Sequence, residues 1–193
     1  MLAVSFAAKA QSKLIFKDKF MYTDVQVFNE TKKHSIPSLI DTGCSLCVID
    51  SIFAIDSCGI KEDELQTIPV NQTKDKISSA FIDSMFFCGK TYHKVYCLVA
   101  DLTGLYQKYA PKFIVGANIL RSGAWKFDME KNIVEPYDYN NKTKGIIYKW
   151  KNHEDYPDVA IDYIILDSKV NGKKHDLLLI QDVETISFNV VYM

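Results

Sequence analysis

The stretch Ser38-Leu39-Ile40-Asp41-Thr42-Gly43-Cys44-Ser45-Leu46-Cys47-Val48-Ile49 constrains the fold more than any other part of the chain. An apolar run enters a tripeptide of acid, hydroxyl and glycine, and a second apolar run leaves it. The flanking Ile and Val residues favour extended backbone. Gly43 admits backbone angles that a Cβ forbids. The pattern predicts two buried strands joined by a tight turn that carries Asp41. A carboxylate among so many apolar neighbours is costly unless it is hydrogen-bonded or used. The bland alternative is a surface turn, since Asp and Gly both favour turns.

With 193 residues, 48% hydrophobic and 12% aromatic, the chain can bury a sizeable core. Its net charge of -1 leaves no electrostatic footprint for nucleic acid or an anionic membrane. Arg121 is the only arginine, so phosphate recognition by an arginine cluster is excluded. No stretch is long enough to span a membrane as a helix. The five cysteines (44, 47, 58, 88 and 97) are odd in number and irregularly spaced, which argues against a disulfide framework. Cys44-Ser45-Leu46-Cys47 is formally C-x-x-C, but it lies in an extended segment without a second such pair. Small buried side chains are the expectation there, not a redox or zinc site. His34, His93, His153 and His175 have no spacing suited to a metal or a nucleophile–base pair. No metal or cofactor is expected.

Residues 1–12 resemble the back half of a secretion signal, with Ala8-Lys9-Ala10 fitting an A-x-A cleavage site. Export to a periplasm, cell envelope or medium is the expectation, with the cytoplasm as the alternative. Asn29-Glu30-Thr31, Asn71-Gln72-Thr73 and Asn141-Lys142-Thr143 fit the glycosylation sequon, which matters only in a eukaryotic secretory pathway.

Along the chain, strands are predicted over 14–28, 34–41 and 46–50, then a short helix over 51–58 capped by Asp50 or Ser51 and stopped by Gly59. Residues 60–80 read as polar loop or mobile hairpin around 70–75. Residues 81–88 and 92–100 read as a β-hairpin turning at Gly89-Lys90. A turn or short helix at 106–110, a strand at 113–116, a helical turn at 118–122, and strands at 125–130 and 133–134 follow. Asp101, Asp128 and Asp138 are expected to be solvated, and Trp125 and Phe127 to face the core. Many short strands with frequent turns predict an all-β fold with short helices, a barrel or a sandwich. Polar, turn-rich residues 138–146 read as a linker.

After that linker the pattern restarts. Val170-Asn171-Gly172-Lys173-Lys174-His175 precedes Leu177–Ile180, much as Phe28–His34 precedes Ile36–Ile40. Aligning the two Lys-Lys-His triplets sets Asp182 opposite Asp41, but Val183 and Glu184 replace the hydroxyl and the glycine. The chain divides into a first lobe over 14–140 and a linker with the start of a degenerate, incomplete repeat over 141–193.

Asp41-Thr42-Gly43-Cys44-Ser45 between apolar strands, the run Ile114-Val115-Gly116-Ala117-Asn118-Ile119-Leu120, and the hairpin from Phe81 to Asp101 between them together resemble the retropepsin-like aspartic proteases. The likeness covers residues 20–137 and is closest to bacterial single-lobe members. It implies a mostly β acid-protease barrel lobe in which two lobes face each other and contribute one Asp each. Asp41 is then the catalytic carboxylate from this chain, and the paired carboxylates share a proton and activate a water. By the same likeness Thr42 bonds across the lobe interface, Gly43 lets backbone approach Asp41, Ser45 orients Asp41, and Gly116 marks the second hallmark. A hairpin flap closes over the peptide, with Asn71, Gln72 and Thr73 as its candidates. The implied partners are a peptide or protein substrate and a second copy of the chain.

One complete Asp-Thr-Gly is half of such a site. Three readings follow: a homodimer placing Asp41 on its axis, one lobe of a truncated two-lobe protease, or a catalytically inactive peptide-binding or structural module. The flap segment carries no glycine between Gly59 and Gly89, unlike the usual mobile tip.

Overall fold

The computed structural model describes residues 10–17, 20–69, 76–137, 146–148, 150–152, 162–170, 173–178 and 190–192. The strands in chain order begin with β1 (Ser12–Lys17), β2 (Phe20–Asn29), β3 (Lys32–Ile40) and β4 (Cys47–Asp50). They continue through β5 (Gln66–Pro69), β6 (Lys76–Phe87), β7 (Lys90–Ala100), β8 (Phe113–Val115), β9 (Trp125–Asp128) and β10 (Ile133–Pro136). The last are β11 (Ile146–Tyr148), β12 (Trp150–Asn152), β13 (Asp162–Val170), β14 (Lys173–Leu178) and β15 (Val190–Tyr192). The helices are short: a wide turn over Phe53–Ser57, α1 (Leu102–Tyr106) and α2 (Ala117–Leu120).

Six strands close into a barrel in the order β2-β3-β8-β4-β7-β6, and β6 returns to β2. The fold is therefore all-β with short helices. β1 lies outside the ring, pairing with β2 on one side and β10 on the other. The β9–β10 hairpin extends the sheet, and β15 adds to β9 in antiparallel register.

The middle of the barrel explains why the sequence there is apolar without alternation. β4 is buried at every position, and so is β8. Ile40, Cys47, Ile49, Phe113 and Val115 face the main core, whereas Leu39, Val48 and Ile114 join a second cluster with Tyr22 and Leu102. A strand covered on both faces has no solvent side to mark with polar residues. Trp125 and Phe127 are buried, as their alternation predicts, and the Trp125 indole N–H donates to the Leu120 carbonyl at 2.6 Å.

Several local expectations shift. The described residues of 60–80 form a helical turn over Glu62–Glu64 and the two arms of a hairpin about 70–75, as the hairpin reading has it, with β5 pairing with the start of β6 from Gln66↔Ser79 to Pro69↔Lys76. β6 therefore begins five residues before the expected Phe81. Ser79 is polar yet fully buried, because its hydroxyl donates to Gln66 O at 3.2 Å and accepts from the Tyr96 hydroxyl at 2.8 Å. The β6–β7 turn is centred on Cys88-Gly89, one residue before the expected position. Both residues have positive φ, 46° and 79°, the handedness that suits the twist of a tight hairpin. The helix of 51–58 is held as expected: Asp50 Oδ1 accepts the Phe53 N–H at 3.0 Å, and Gly59 leaves it at φ +75°.

Asp128 is buried, contrary to expectation. Lys126 Nζ lies 3.3 Å from Asp128 Oδ2 and 3.5 Å from Glu135 Oε1, and Lys131 Nζ lies 3.4 Å from Asp128. Burial alone would raise the Asp128 pKa. The Lys131 N–H and the Lys126 and Lys131 ammonium groups outweigh it and hold the carboxyl below its ordinary value.

Past residue 137 the strands include an antiparallel β13–β14 hairpin. Its Lys-Lys-His triplet opens the second strand, with Val170↔Lys173 beside the turn. The first triplet opens β3 in the same way, with Asn29↔Lys32 beside its turn. Asp138 and Asp182 lie outside the described residues, as do residues 1–9, although Ser12 already belongs to β1. Among the described residues no helix is long and apolar enough to cross a membrane.

Candidate active site

The site forms where β3 and β8 end and β4 begins. β8 runs between β3 and β4, parallel to the first and antiparallel to the second. Asp41 leaves β3 with its N–H still on the ladder, donating to Val115 O at 3.1 Å. The chain then turns back toward β4, and Cys44 N–H reaches Asp41 O at 3.4 Å. Asp41 Oδ1 accepts the Gly43 N–H at 2.8 Å.

Gly43 contributes this donor and not an unusual backbone. The described glycines with positive φ are Gly59 and Gly89. Gly116 is the glycine whose missing side chain matters here. A Cβ on it would lie 2.3 Å from Leu46 O and 2.8 Å from Cys47 N. Its absence lets the start of α2 press against the loop that follows Asp41.

The contact is locked by hydrogen bonds. Ala117 N–H donates to Cys44 O at 2.7 Å, and Asn118 N–H donates to Ser45 O at 3.0 Å. The Asn118 side chain accepts the Cys47 N–H at 2.9 Å and donates to Tyr96 O at 3.0 Å. One amide thus ties the site loop, α2 and β7 together. Sequence reading placed Asn118 in a helical turn and within the run Ile114–Leu120, without a role of its own. A polar residue two positions after a strand-ending glycine is the sole local signal for its role.

Asp41, Thr42, Gly43, Ser45 and Gly116 are brought into one loop pair. Thr42 is buried. The hydrogen bond to the Asp41 carboxylate comes from the Gly43 backbone N–H, the Cys44 N–H bonds the Asp41 backbone carbonyl close by, and among the described residues no hydrogen bond joins Ser45 to Asp41. Ser45 acts through its carbonyl, which anchors α2. Asn71, Gln72 and Thr73 lie outside the described residues, between the ends of β5 and β6.

The electrostatics suit a carboxyl that holds a proton. Burial raises the Asp41 pKa above its ordinary value, and the Gly43 and Cys44 N–H groups only partly offset this. No cation forms an ion pair with Asp41 among the described residues. Burial pushes the Cys44 thiol up to about 12, and the Asp41 charge adds to it. Such a thiol is protonated at neutral pH and is no nucleophile. Cys58 is likewise pushed up to about 11 by burial, and all five cysteines are free. Among the described residues no group of three His, Cys, Asp or Glu side chains could hold a metal. His34 is structural, with Nε2 3.1 Å from Ser57 O and its ring edge-on to Phe53.

Asp50 and Asp101 hold backbone. Asp50 Oδ2 accepts the Leu102 N–H at 3.2 Å, joining the end of β4 to the start of α1. Asp101 is exposed as expected and caps α1 by accepting the Gly104 N–H at 3.0 Å.

No family model matches this chain, and no curated protein matches it. Among solved structures, a retropepsin-like aspartic protease from Rickettsia conorii is similar, with 18% identity and a TM-score of 0.47 over 64% of this chain and 87% of that one.

Proposed function

We propose that this chain supplies one lobe of an aspartic endopeptidase, with Asp41 as its catalytic carboxylate. The observation that carries the reading is the state of Asp41. It is a half-buried carboxyl on a loop fixed between β3, β4 and β8, held by the Gly43 N–H and raised in pKa, without an ion pair among the described residues. A structural turn acid is normally solvated or capping, as Asp101 is. Two carboxyls of this kind brought together cannot both ionise easily, so they retain one proton between them. The ionised member takes a proton from water as it attacks the peptide carbonyl. The protonated member donates to that carbonyl oxygen. The second carboxyl comes from another copy of the chain, with the Asp41 loops on a shared two-fold axis.

The rival reading is a peptide-binding or structural module without catalysis. It is favoured by the single Asp-Thr-Gly signature in the sequence. Cleavage of a mixed peptide library between about pH 3 and 8, wild type beside Asp41→Asn, separates the two. Cleavage by wild type and not by the variant supports the peptidase. A folded, dimeric wild type that cleaves nothing overturns it.

A further inference from the structure

We propose that the Tyr106 hydroxyl is a substrate-binding group beside Asp41, donating a hydrogen bond to a backbone carbonyl of an extended peptide. The proposal rests on the peptidase reading above and deepens it. Tyr106 is the last residue of α1, whose start is fastened to β4 by Asp50 and capped by Asp101. Its ring meets Phe20 edge-on, with centroids 5.5 Å apart and planes at 73°. It also packs, together with Cys44 of the site loop, on the cluster of Tyr22, Leu39, Val48, Leu102 and Ile114. Leu39 and Ile114 are register partners on the two strands that present Asp41. The ring is thus seated on the same frame as the carboxyl.

The hydroxyl has work left to do. Among the described residues it has no hydrogen-bond partner, whereas Tyr22 in the same cluster donates to the Tyr109 carbonyl. Tyr106 shares that cluster with Cys44 and lies within electrostatic reach of the Asp41 carboxylate without being bonded to it. A donor and a carboxyl that are neighbours but not partners leave room for a third group. Burial, with the Asp41 charge adding to it, pushes the phenol up to about 12, so it remains a donor across any range in which a carboxyl pair can work. The ring is half-buried and held in place, so its hydroxyl can bond a ligand acceptor at little cost in side-chain ordering. An extended peptide offers a carbonyl at every residue, spaced by roughly 3.3 Å along the strand.

The test compares wild type, Tyr106→Phe and, as a control on the same aromatic cluster, Tyr109→Phe. The readouts are melting temperature, steady-state cleavage of a peptide selected from the library, and calorimetric binding of the same peptide with its scissile amide replaced by a hydroxyethylene group. Tyr106→Phe is expected to melt like wild type, to lose roughly three- to tenfold in kcat/KM with most of the change in KM, and to bind the analogue weaker by a similar factor. Tyr109→Phe should match wild type in all three. An active wild type with Tyr106→Phe equal to it in KM and affinity overturns the Tyr106 assignment and leaves the peptidase standing. A wild type that binds the analogue but cleaves nothing, with Tyr106→Phe binding weaker, upholds the assignment and removes catalysis. A wild type that neither cleaves nor binds overturns both.

Discussion

Gly116 and Leu46 are in backbone contact, with no room between them for a methyl group: a Cβ on Gly116 would stand 2.3 Å from the Leu46 carbonyl oxygen. This approach sets the distance between the strand-ending glycine and the loop that carries Asp41. Gly116→Ala is therefore expected to destabilise the protein by about 2–4 kcal/mol, since backbone on both sides must shift. Gly123→Ala is the comparison, because its Cβ would meet Trp125 Cζ2 at 3.4 Å, an ordinary contact. Denaturant unfolding of the two variants measures the difference. Equal stabilities would mean that the contact at Gly116 relaxes freely.

Asn118→Ala removes the acceptor for Cys47 N–H and the donor to Tyr96 O at once. A loss of about 1–3 kcal/mol is expected, with Asp41→Asn cleavage controls run alongside. Asn118→Asp keeps the acceptor but sets a carboxylate against the Tyr96 carbonyl. Its deficit should be larger at neutral pH than in acid, where a protonated carboxyl can donate again. Thermal unfolding at pH 4 and pH 7 checks the sign.

The raised pKa of Asp41 makes a stability prediction that needs no substrate. Below the ordinary Asp pKa the carboxyl is protonated in both folded and unfolded chains and contributes nothing. As pH rises, the unfolded chain ionises first, and folding loses stability until the folded pKa is passed. Asp41→Asn can still accept the Gly43 N–H and carries no charge. It should be more stable than wild type at pH 7, with the gap closing toward pH 3. A constant gap across that range would show that burial does not control the carboxyl.

Lys126 neutralises two buried carboxylates, Asp128 and Glu135. Lys126→Met should cost about 2–4 kcal/mol at pH 7, because both partners remain buried. Lys131→Ala, at an exposed ammonium, should cost under about 1 kcal/mol. In wild type the Asp128 pKa is lowered, so its contribution is present above the ordinary Asp pKa and fades as pH falls through the folded value. Urea titrations of both variants at pH 7 test the ranking.

Much of the barrel was legible because its central strands are short apolar runs. Leu39-Ile40, Cys47–Ile49 and Phe113–Val115 are apolar runs, and the structure buries each of them throughout. Their order in the sheet was not legible, since nothing local in Phe113-Ile114-Val115 says that it inserts between β3 and β4. Asp128 was misread for a similar reason. Its burial depends on Lys126 and on Glu135 across the hairpin, and a charged residue viewed alone looks solvated. The start of β6 was hidden because Ser79 is buried through two hydroxyl hydrogen bonds, which polarity cannot reveal. At the site, Asp41 was visible as an acid in an apolar frame. Asn118 was not, because its role depends on contacts with Cys47 and Tyr96 across the fold.

The insertion of β8 between β3 and β4 also dictates when the site can exist. Residues 113–115 must arrive before Asp41 N–H finds its Val115 partner and before the loop is clasped. Contacts so distant along the chain form late, after much loop entropy has been lost. A nascent chain that has emerged only through β7 would carry the Asp-Thr-Gly signature without its geometry. Any activity of this fold is thereby withheld until the barrel is complete.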